Sequence, residues 1–299
     1  MNGQLLWGDN LTILQQIPDN IADMAYIDPP FFSNKDYKTY NKTDGSLSAF
    51  SDTWKGGLSD YLQWLHARIE EVYRCLKPDA TLFLHCDWHA DAYIRTQILD
   101  PIFGMNQLLN VIAWCYNMGG RSSRCFARKK DTIFWYAKGK QWTFCPETIK
   151  VPMDSGIKSF GGKFLTDEDG RVYREVYGSK NRKGEKRYYR YYLDEGKVPE
   201  DWWSDINSLQ ANHSERCHYP TQKPEALLER IILAATHKGA VIIDPFVGSG
   251  TSVVVAERWE RQWIGIDCSK AAIQSTSRRL DALAADFCCS STYINPSAT

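Results

Sequence analysis

The sequence predicts an α/β protein whose core is a doubly wound, mostly parallel β-sheet. Short β-branched runs alternate with helical stretches, and a glycine-rich turn joins one such run to a helix. Parallel strands need a crossover helix between them, so this alternation is typical of a parallel sheet. With 299 residues, of which 43% are hydrophobic and 24% charged, the chain has the length of one large domain that carries an insertion.

The first half of the chain supplies strands and helices in alternation. The predicted strands share an apolar, β-branched or aromatic composition and cover residues 4–9, 24–28, 81–87, 110–116 and 132–138. The last two are expected to form a hairpin at the sheet edge. The clearest helix runs from Leu58 to Leu76, because its apolar residues recur at the spacing of one helix face. Shorter helices are predicted after the first strand and over 89–103, and residues 33–57 are predicted to form a polar loop.

The second half is divided by a segment without hydrophobic periodicity. Its composition, rich in Gly, Lys, Arg and Tyr, predicts an inserted module. Beyond it the alternation returns, with helices at 223–237, 251–259 and 269–285 and strands at 240–246 and 262–267. We therefore predict two α/β segments at 1–138 and 216–285, an inserted module between them at 139–215, and a frayed tail at 286–299.

Composition excludes several classes of protein. No apolar run approaches the ~20 residues that span a bilayer, and no signal peptide is recognisable, so we expect no membrane association and a cytoplasmic location. Nine cysteines without a CxxC pair are expected to be reduced thiols, most of them buried. Two groups of potential metal ligands lack the spacing of zinc sites, so no metal is expected; they are His85, Cys86, Asp87 and His89, and His213, Cys217 and His218.

The glycine-rich turn DPFVGSGT, residues 244–251, lies between a predicted strand and a helix. Gly248 and Gly250 allow a tight turn and close approach of the backbone to a ligand. A P-loop would need a lysine before Thr251, and a dinucleotide fingerprint would need a third glycine where Val253 stands. Asp267 ends the next strand, where a carboxylate can accept hydrogen bonds from both hydroxyls of a ribose. The pattern favours a nucleoside ligand without a pyrophosphate.

A second motif, Asp28-Pro29-Pro30-Phe31, ends the strand at 24–28. Two prolines fix the backbone and remove two amide donors, which leaves an array of acceptors. The Asp28 carboxylate and the Pro29 carbonyl can both accept hydrogen bonds from one NH2 group, while Phe31 offers an apolar face to a base. Such an arrangement suits transfer to an exocyclic amine by positioning and electrostatics.

Together these motifs resemble those of the amino-methyltransferases that act on adenine N6 or cytosine N4 of DNA. That family has a (D/N/S)-P-P-(Y/F/W) catalytic motif and an F-x-G-x-G cofactor motif, the latter matched here by residues 246–250. The catalytic motif comes first, as in the β group, which has a circularly permuted, Rossmann-like methyltransferase fold. Four further segments agree, and the resemblance covers nearly everything except about 140–200: LWGDNL, FSDTWKGG, DTIFWYAK and YPTQKPEALLERII.

The resemblance implies S-adenosylmethionine as cofactor, held at the ribose by Asp267 and near the adenine by Asp9. The other cofactor-binding residues that it implies lie in the matching motifs: Asp28, Gln222, Lys223, Pro224, Asp244, Phe246, Gly248, Gly250 and Thr251. It further implies double-stranded DNA as substrate, with the target base flipped into the site. The resemblance also implies a homodimer, a cognate restriction endonuclease, and a location in a prokaryotic or phage-infected cell.

Basic residues are concentrated in the segment 121–197, which precedes and enters the inserted module. Residues 121–197 hold 19 Lys and Arg against 10 Asp and Glu, although the net charge of the whole chain is zero. Tyrosines interleave with the basic residues over 178–192, and the combination can neutralise phosphates and stack on bases. The predicted DNA-binding residues are Arg121, Arg124, Lys180, Arg182, Lys183, Lys186, Arg187 and Arg190.

The preferred function is methylation of adenine N6 at specific DNA sites, because the resembling family more often has Asp in the first motif position for adenine and Ser for cytosine. Cytosine N4 methylation is the nearest alternative. Methylation of RNA or of a protein glutamine, and a DNA-binding module without catalysis, are the others. The intact Asp28, Gly248, Gly250 and Asp267 argue against the last.

Overall fold

A computed structural model of the chain describes residues 2–40, 47–117, 122–153, 164–180, 184–217 and 219–293. They form two compact units, one of residues 1–144 and 201–299 and one of residues 145–200. None of the helices in these ranges is both long and apolar enough to span a bilayer.

The larger unit contains the α/β elements. Its strands are β1 (Gly3–Trp7), β2 (Ala22–Ile27), β3 (Asp36–Tyr40), β4 (Leu47–Ser51), β5 (Leu76–Cys86), β6 (Leu108–Cys115) and β7 (Lys130–Ala137). The insert contributes β8 (Phe164–Thr166), β9 (Val172–Tyr177) and β10 (Tyr188–Tyr192). The strands that follow it are β11 (Trp202–Trp203), β12 (Val241–Asp244), β13 (Gln262–Asp267) and β14 (Phe287–Ser290).

The helices of the larger unit cover both faces of its sheet. They are α1 (Asn10–Leu14), α2 (Gly57–Cys75), α3 (Asp91–Ile94), α4 (Asp100–Phe103), α5 (Glu225–Ala235), α6 (Thr251–Arg258) and α7 (Lys270–Asp281). The first four pack into one hydrophobic cluster and the last three into another, which lie on either side of the sheet. The predicted doubly wound α/β fold is therefore confirmed.

Nine strands form the main sheet in the order β11-β6-β7-β5-β2-β12-β13-β1-β14. Among the described strands of this sheet, β7 alone runs antiparallel to its neighbours. From β2 the chain proceeds to β5, and from β12 it proceeds to β13 on the opposite side. The winding direction therefore changes between the adjacent strands β2 and β12. In doubly wound sheets, ligands bind at this point, beyond the carboxyl ends of the strands.

Several elements differ from the sequence prediction. The loop at 33–57 contains the β3–β4 hairpin, and the tail is not frayed throughout, because β14 pairs with β1. The predicted hairpin of β6 and β7 exists, but β11 covers β6 and takes the edge position. The helix at 89–103 is interrupted by a π-helical turn, Arg95–Leu99. The nine cysteines are all free, as predicted, but the prediction that most are buried is wrong: only Cys75 and Cys86 are buried, and Cys268 is among the exposed ones.

The insert is shorter than predicted. Its compact unit ends at Glu200, since β11 belongs to the main sheet and the neighbouring Ile206 and Leu209 are buried in the larger unit. The unit itself holds a three-stranded antiparallel sheet of β8, β9 and β10. Among the described residues of this unit, Tyr173 is a buried aromatic residue and packs against Tyr192.

Candidate active site

A cavity of about 370 Å³ opens at the carboxyl ends of β1, β2, β12 and β13. This volume lies within the range of small-molecule sites. The two sequence motifs meet here although they are far apart in the chain, because Ile242 and Ile243 of β12 pair with Met24 and Ala25 of β2. The turns that follow these two strands consequently line the same cavity.

Asp28 directly follows the carboxyl end of β2, and its two carboxylate oxygens lie in different environments. Oδ2 accepts a hydrogen bond from Nζ of Lys223 at 2.5 Å, and both side chains are largely buried. Oδ1 is buried and has no hydrogen-bond donor among the described residues. A buried carboxylate oxygen without a partner carries a substantial desolvation cost, so this atom is placed to accept a hydrogen from a ligand.

Phe31 forms an aromatic platform next to Asp28. Its ring stacks on the fully buried His85, with the centroids 5.7 Å apart and an interplanar angle of 26°. The His85 ring is fixed by two hydrogen bonds, one between its Nδ1 and the Tyr26 hydroxyl, 3.1 Å apart, and one between its Nε2 and Asp131 Oδ2, 3.0 Å apart. The platform is rigid because its underside is held by this network.

Asp131 completes the network beneath the platform. Its Oδ1 accepts a hydrogen bond from the Tyr116 hydroxyl at 2.9 Å. Burial by itself raises the pKa of Asp131, but the hydrogen bonds with His85 and Tyr116 and the positive charge of Lys223 together outweigh burial and leave the pKa below its ordinary value. The carboxylate therefore stays ionised and keeps His85 oriented.

Asp52 holds the turn that follows the proline motif. Its buried carboxylate accepts hydrogen bonds from the backbone amides of Phe32 and Ser33, at 3.1 and 2.7 Å, and from the indole of Trp54 at 2.9 Å. Phe32 has a φ of 60°, a conformation that a non-glycine residue rarely adopts without such support. This role of Asp52 was not predicted, although the residue lies in the matching segment FSDTWKGG.

The glycine-rich turn is organised by Asp267 at the end of β13. Its Oδ2 accepts a hydrogen bond from the Gly248 amide at 2.9 Å, and its Oδ1 accepts one from the Ser269 amide at 2.8 Å. Burial raises the pKa of Asp267 to about 6. Burial likewise raises the pKa of Asp244, at the end of β12, to about 7. Both carboxyl groups therefore titrate near neutral pH.

The two glycines of this turn are needed for different reasons. A Cβ on Gly248 would have the Tyr219 ring as its nearest neighbour, at 3.4 Å, and both residues line the cavity. A Cβ on Gly250 would lie 2.6 Å from Oγ1 of Thr276, closer than packed atoms approach. Both have positive φ, of 51° and 80°. Gly248 therefore keeps cavity space open, whereas Gly250 permits the packing of α6 against α7.

Asp9, which follows β1, also lines the cavity and belongs to a charged cluster. Its Oδ2 accepts a hydrogen bond from Nη2 of Arg68 at 2.8 Å, and its Oδ1 caps α1 through the Thr12 amide at 3.1 Å. Burial opposes ionisation of Asp9, but these two partners leave its pKa below the ordinary value. The Arg68 guanidinium lies 4.1 Å from the centroid of the Trp64 ring. An arginine inside the apolar stripe of α2 was the available sequence signal for this cluster.

Most predicted site residues line the cavity. These are Asp9, Asp28, Pro29, Pro30, Phe31, Lys223, Asp244, Phe246, Gly248, Thr251 and Asp267. Gln222, Pro224 and Gly250 do not. The Gln222 amide bonds the backbone of Glu215 and Cys217, and Pro224 precedes α5 as its N-cap residue. Lining residues that the sequence analysis did not single out include Asn10, Tyr26, Asp52, Trp64, Arg68 and Tyr219.

The predicted DNA-binding residues are distributed over both units. Arg124 is exposed in the larger unit, and Lys180, Lys186, Arg187 and Arg190 are exposed in the insert. Arg190 also forms part of the insert's own structure, because its guanidinium lies over the Tyr173 ring at 4.8 Å. Three predicted residues lie outside the described ranges: Arg121, Arg182 and Lys183. In the parts of the chain that the structure describes, no group of three or more His, Cys, Asp or Glu side chains is arranged to hold a metal ion.

Comparison with known proteins identifies several related sequences and structures. The profile of a family described as DNA methylase, of the N6/N4 type, matches residues 22–278. Type II methyltransferase M.HpaI of Haemophilus parainfluenzae is 31% identical over 94% of this chain and 75% of its own length. DNA adenine methyltransferase YhdJ of Escherichia coli K12 is 29% identical over 93% of this chain and 82% of its own. The solved PvuII DNA methyltransferase, described as cytosine-N4-specific, is 16% identical, with a TM-score of 0.60 over 93% of this chain and 86% of its own.

Proposed function

Because the chain belongs to the N6/N4 DNA methylase family, we propose that it transfers a methyl group from S-adenosylmethionine to adenine N6 of a base flipped out of duplex DNA. The observation that carries this proposal is the acceptor array at Asp28, whose buried Oδ1 has no donor among the described residues. It lies beside an aromatic platform, as the recognition of an aminated base requires.

The described residues fit the cofactor. Asp267 offers a carboxylate to a ribose, Gly248 leaves space where a side chain would intrude, and the Asp9–Arg68 pair offers polar groups for an adenine. We propose that these three regions hold S-adenosylmethionine. When bound, it would supply a methyl group on a positively charged sulfur: the amine nitrogen would bond to the methyl carbon as the carbon–sulfur bond breaks, and the sulfur would leave as a neutral thioether.

The protein's own contribution is to prepare the amine. An exocyclic amine is a poor nucleophile because its lone pair is delocalised into the ring. We propose that Asp28 Oδ1 and the Pro29 carbonyl accept its two hydrogens and draw the nitrogen toward a tetrahedral geometry that frees the lone pair. Phe31 carries the base, and Lys223 fixes the carboxylate through Oδ2. One of the two amine protons leaves once the nitrogen has gained the methyl group, and it reaches solvent.

The choice of adenine over cytosine belongs to the proposal. Asp in the first motif position favours adenine in the resembling family, and the name of YhdJ specifies adenine. The PvuII enzyme, described as cytosine-N4-specific, supports the alternative. Both amines suit the same acceptor array, so the mechanism is common to the two.

We propose that the insert supplies target recognition. Tyr188, Tyr189 and Tyr191 of β10 are about half exposed and stand beside exposed basic residues, which suits contact with bases and phosphates. A cognate restriction endonuclease is part of the same proposal, supported by the Type II name of M.HpaI. A cytoplasmic location stays a prediction from the sequence. Homodimerisation stays a prediction from the family resemblance.

Product analysis tests the function. The protein is incubated with labelled S-adenosylmethionine and duplex DNA of mixed sequence, and the DNA is digested to nucleosides for mass spectrometry. We expect labelled N6-methyl-2′-deoxyadenosine, and mapping of the label gives the recognised site. Labelled N4-methyl-2′-deoxycytidine would replace the adenine proposal by its alternative. No labelled nucleoside, with RNA tried as well, would contradict the proposed activity.

Replacement of Asp52 by alanine is expected to lower the methylation rate at least about tenfold, because the turn after the proline motif loses its acceptor while its buried donors remain. Affinity for S-adenosylmethionine should change less than about threefold. Single-turnover rates and calorimetric binding measure the two. The matched control is Asp60→Ala, an exposed carboxylate in the first turn of α2. Equal rates for the two variants would show that Asp52 does not position the motif.

The two glycines should respond differently to alanine. Gly248→Ala is expected to weaken binding of S-adenosylmethionine at least about tenfold while the free energy of unfolding falls by only about 1 kcal/mol, the cost of a left-handed conformation. Gly250→Ala is expected to lower the free energy of unfolding by about 2–3 kcal/mol through the contact with Thr276. Urea denaturation and calorimetry separate the effects. An unstable Gly248 variant, or a fully stable Gly250 variant, would contradict this assignment.

A further inference from the structure

Phe126, in the loop between β6 and β7, is 99% exposed. The next most exposed large apolar side chain in the described ranges is Met105, at 71%. Scattered apolar residues on a surface need no explanation, but a phenylalanine ring wholly in water is unusual. The ring contributes nothing to the core and is therefore available to a partner.

The surroundings of Phe126 are basic. The described part of the loop and the first residue of β7 contain four basic residues and no acidic one between residues 122 and 130: Arg124, Arg128, Lys129 and Lys130. An aromatic ring within a row of positive charges matches nucleic acid, which offers phosphates and stacked bases together. A protein partner that bound Phe126 through an apolar surface would leave the positive charges around the ring without partners, which is unfavourable.

The loop emerges at the edge of the sheet that carries Asp28. Strand β5 runs parallel to β2 and ends beside it, and β7 begins where β5 ends, since Cys86 pairs with Thr132. Strand β6 ends opposite the start of β7, with Cys115 paired to Lys130. Two strand spacings of about 4.8 Å separate β7 from β2, so the base of the loop stands about 10 Å from the strand that ends at Asp28.

The base of the loop is anchored, although Phe126 is not. The guanidinium of Arg128 lies 3.6 Å from the centroid of the Trp88 ring, and Trp88 packs against His89 with the ring centroids 3.9 Å apart. His89 Nδ1 is in turn hydrogen-bonded to the Asp87 carboxylate at 2.7 Å. Trp88 and His89 follow β5 directly, so these contacts hold the base of the loop at the edge of the sheet where Asp28 lies.

We propose that Phe126 enters the DNA duplex beside the target and fills the space that the flipped base vacates. The inference rests on the proposed function. Extrusion of a base leaves an unstacked gap, and apolar side chains inserted between base steps offset the loss of stacking. Arg124 and Arg128 contact the phosphates on either side of the gap. Phe126 is thus a positioning residue that acts on the conformation of the DNA and does not touch the reacting amine.

The test compares Phe126→Ala with Met105→Ala. Met105 is a matched control, because it is exposed and apolar but precedes β6, at the opposite edge of the sheet. Single-turnover methylation is measured on a duplex that contains the mapped site and on the same duplex with the target base mismatched. On the paired duplex we expect Phe126→Ala to be slower at least about tenfold, the size of one lost stacking contact, and Met105→Ala to match the wild type.

The mismatched duplex supplies the decisive comparison. A mismatched base flips at less cost, so Phe126→Ala is expected to recover to within about threefold of the wild-type rate there. Phe126→Trp should remain active on both duplexes. Fluorescence of 2-aminopurine at the target position should rise with the wild type and rise less with Phe126→Ala.

Each of the following results would overturn the inference. Unchanged methylation by Phe126→Ala on paired DNA, or a defect that the mismatch does not relieve, excludes a gap-filling role. A change in the sedimentation of Phe126→Ala without a DNA defect would assign the ring to contact between protein copies. A wild-type protein inactive on every DNA would overturn the proposed function itself, and this inference with it.

Discussion

Asp28→Ala is expected to reduce methyl transfer about 10²–10³-fold, because it removes the acceptor that activates the amine, and the loss of one preorganised hydrogen-bonding group has an effect of this size in other enzymes. The affinity for S-adenosylmethionine should change less than about tenfold, since the ribose and adenine regions are untouched. Single-turnover rates with saturating cofactor measure the first quantity, and calorimetry measures the second.

The Asp28 experiment needs a control for the Lys223 ammonium, which is 10% exposed and would lose its partner. Breaking a buried ion pair costs about 3–5 kcal/mol, so Asp28→Ala should also be less stable. The double variant with Lys223→Met removes the unpaired charge and should recover most of the stability but none of the activity. Recovery of activity in the double variant would show that Asp28 serves only to neutralise Lys223.

Asp267→Ala is expected to weaken S-adenosylmethionine binding about 100-fold. It removes the proposed charged acceptor of the ribose hydroxyls, and hydrogen bonds to charged groups contribute about 1.5–3 kcal/mol each. It also frees the Gly248 and Ser269 amides, which lowers the order of the glycine-rich turn. Calorimetric titration gives the dissociation constant, and a variant that binds like the wild type would refute the assignment.

The raised pKa of Asp267 adds a pH dependence to the same site. The ionised carboxylate is the form that accepts from the ribose, so affinity should be full above about pH 7 and decline as the group is protonated. With a pKa of about 6, about one tenth of the sites are ionised at pH 5, and the dissociation constant should rise about tenfold.

Two variants distinguish Asp267 from the neighbouring Asp244, whose pKa is about 7. Asp267→Asn should bind more weakly at every pH and lose the dependence between pH 5 and 7. Asp244→Asn should retain it. The reverse pattern would assign the titration to Asp244.

The sequence predicted the sheet and the two motifs because both are local signals. Strands β2 and β12 each combine an apolar run with a motif at its end, and their meeting follows from the rule for doubly wound sheets. The β14 strand was not predicted, since FCCS is short and its pairing with β1 is a tertiary effect. The β3–β4 hairpin was not predicted either, because the polar composition of its segment is typical of a loop.

The supporting residues of the site were harder to predict than the catalytic ones. His85 looked like a potential metal ligand beside Cys86, whereas in the structure it stacks beneath Phe31. Asp52 and Arg68 act through side-chain hydrogen bonds to distant parts of the chain, and no periodicity encodes such partners. Gln222 was assigned to the cofactor by its motif, but its amide bonds the preceding backbone.

The number of acceptors at Asp28 also limits how many methyl groups the product can carry. With Oδ2 occupied by Lys223, the site presents Oδ1 and the Pro29 carbonyl, two acceptors for the two hydrogens of an unmodified amine. A methylated amine has one hydrogen left, so one buried acceptor would lose its partner, and a site built for hydrogen bonds strongly rejects a ligand that lacks one. On the proposed function, the geometry that activates the substrate thereby favours release of the product and restricts the reaction to a single methylation.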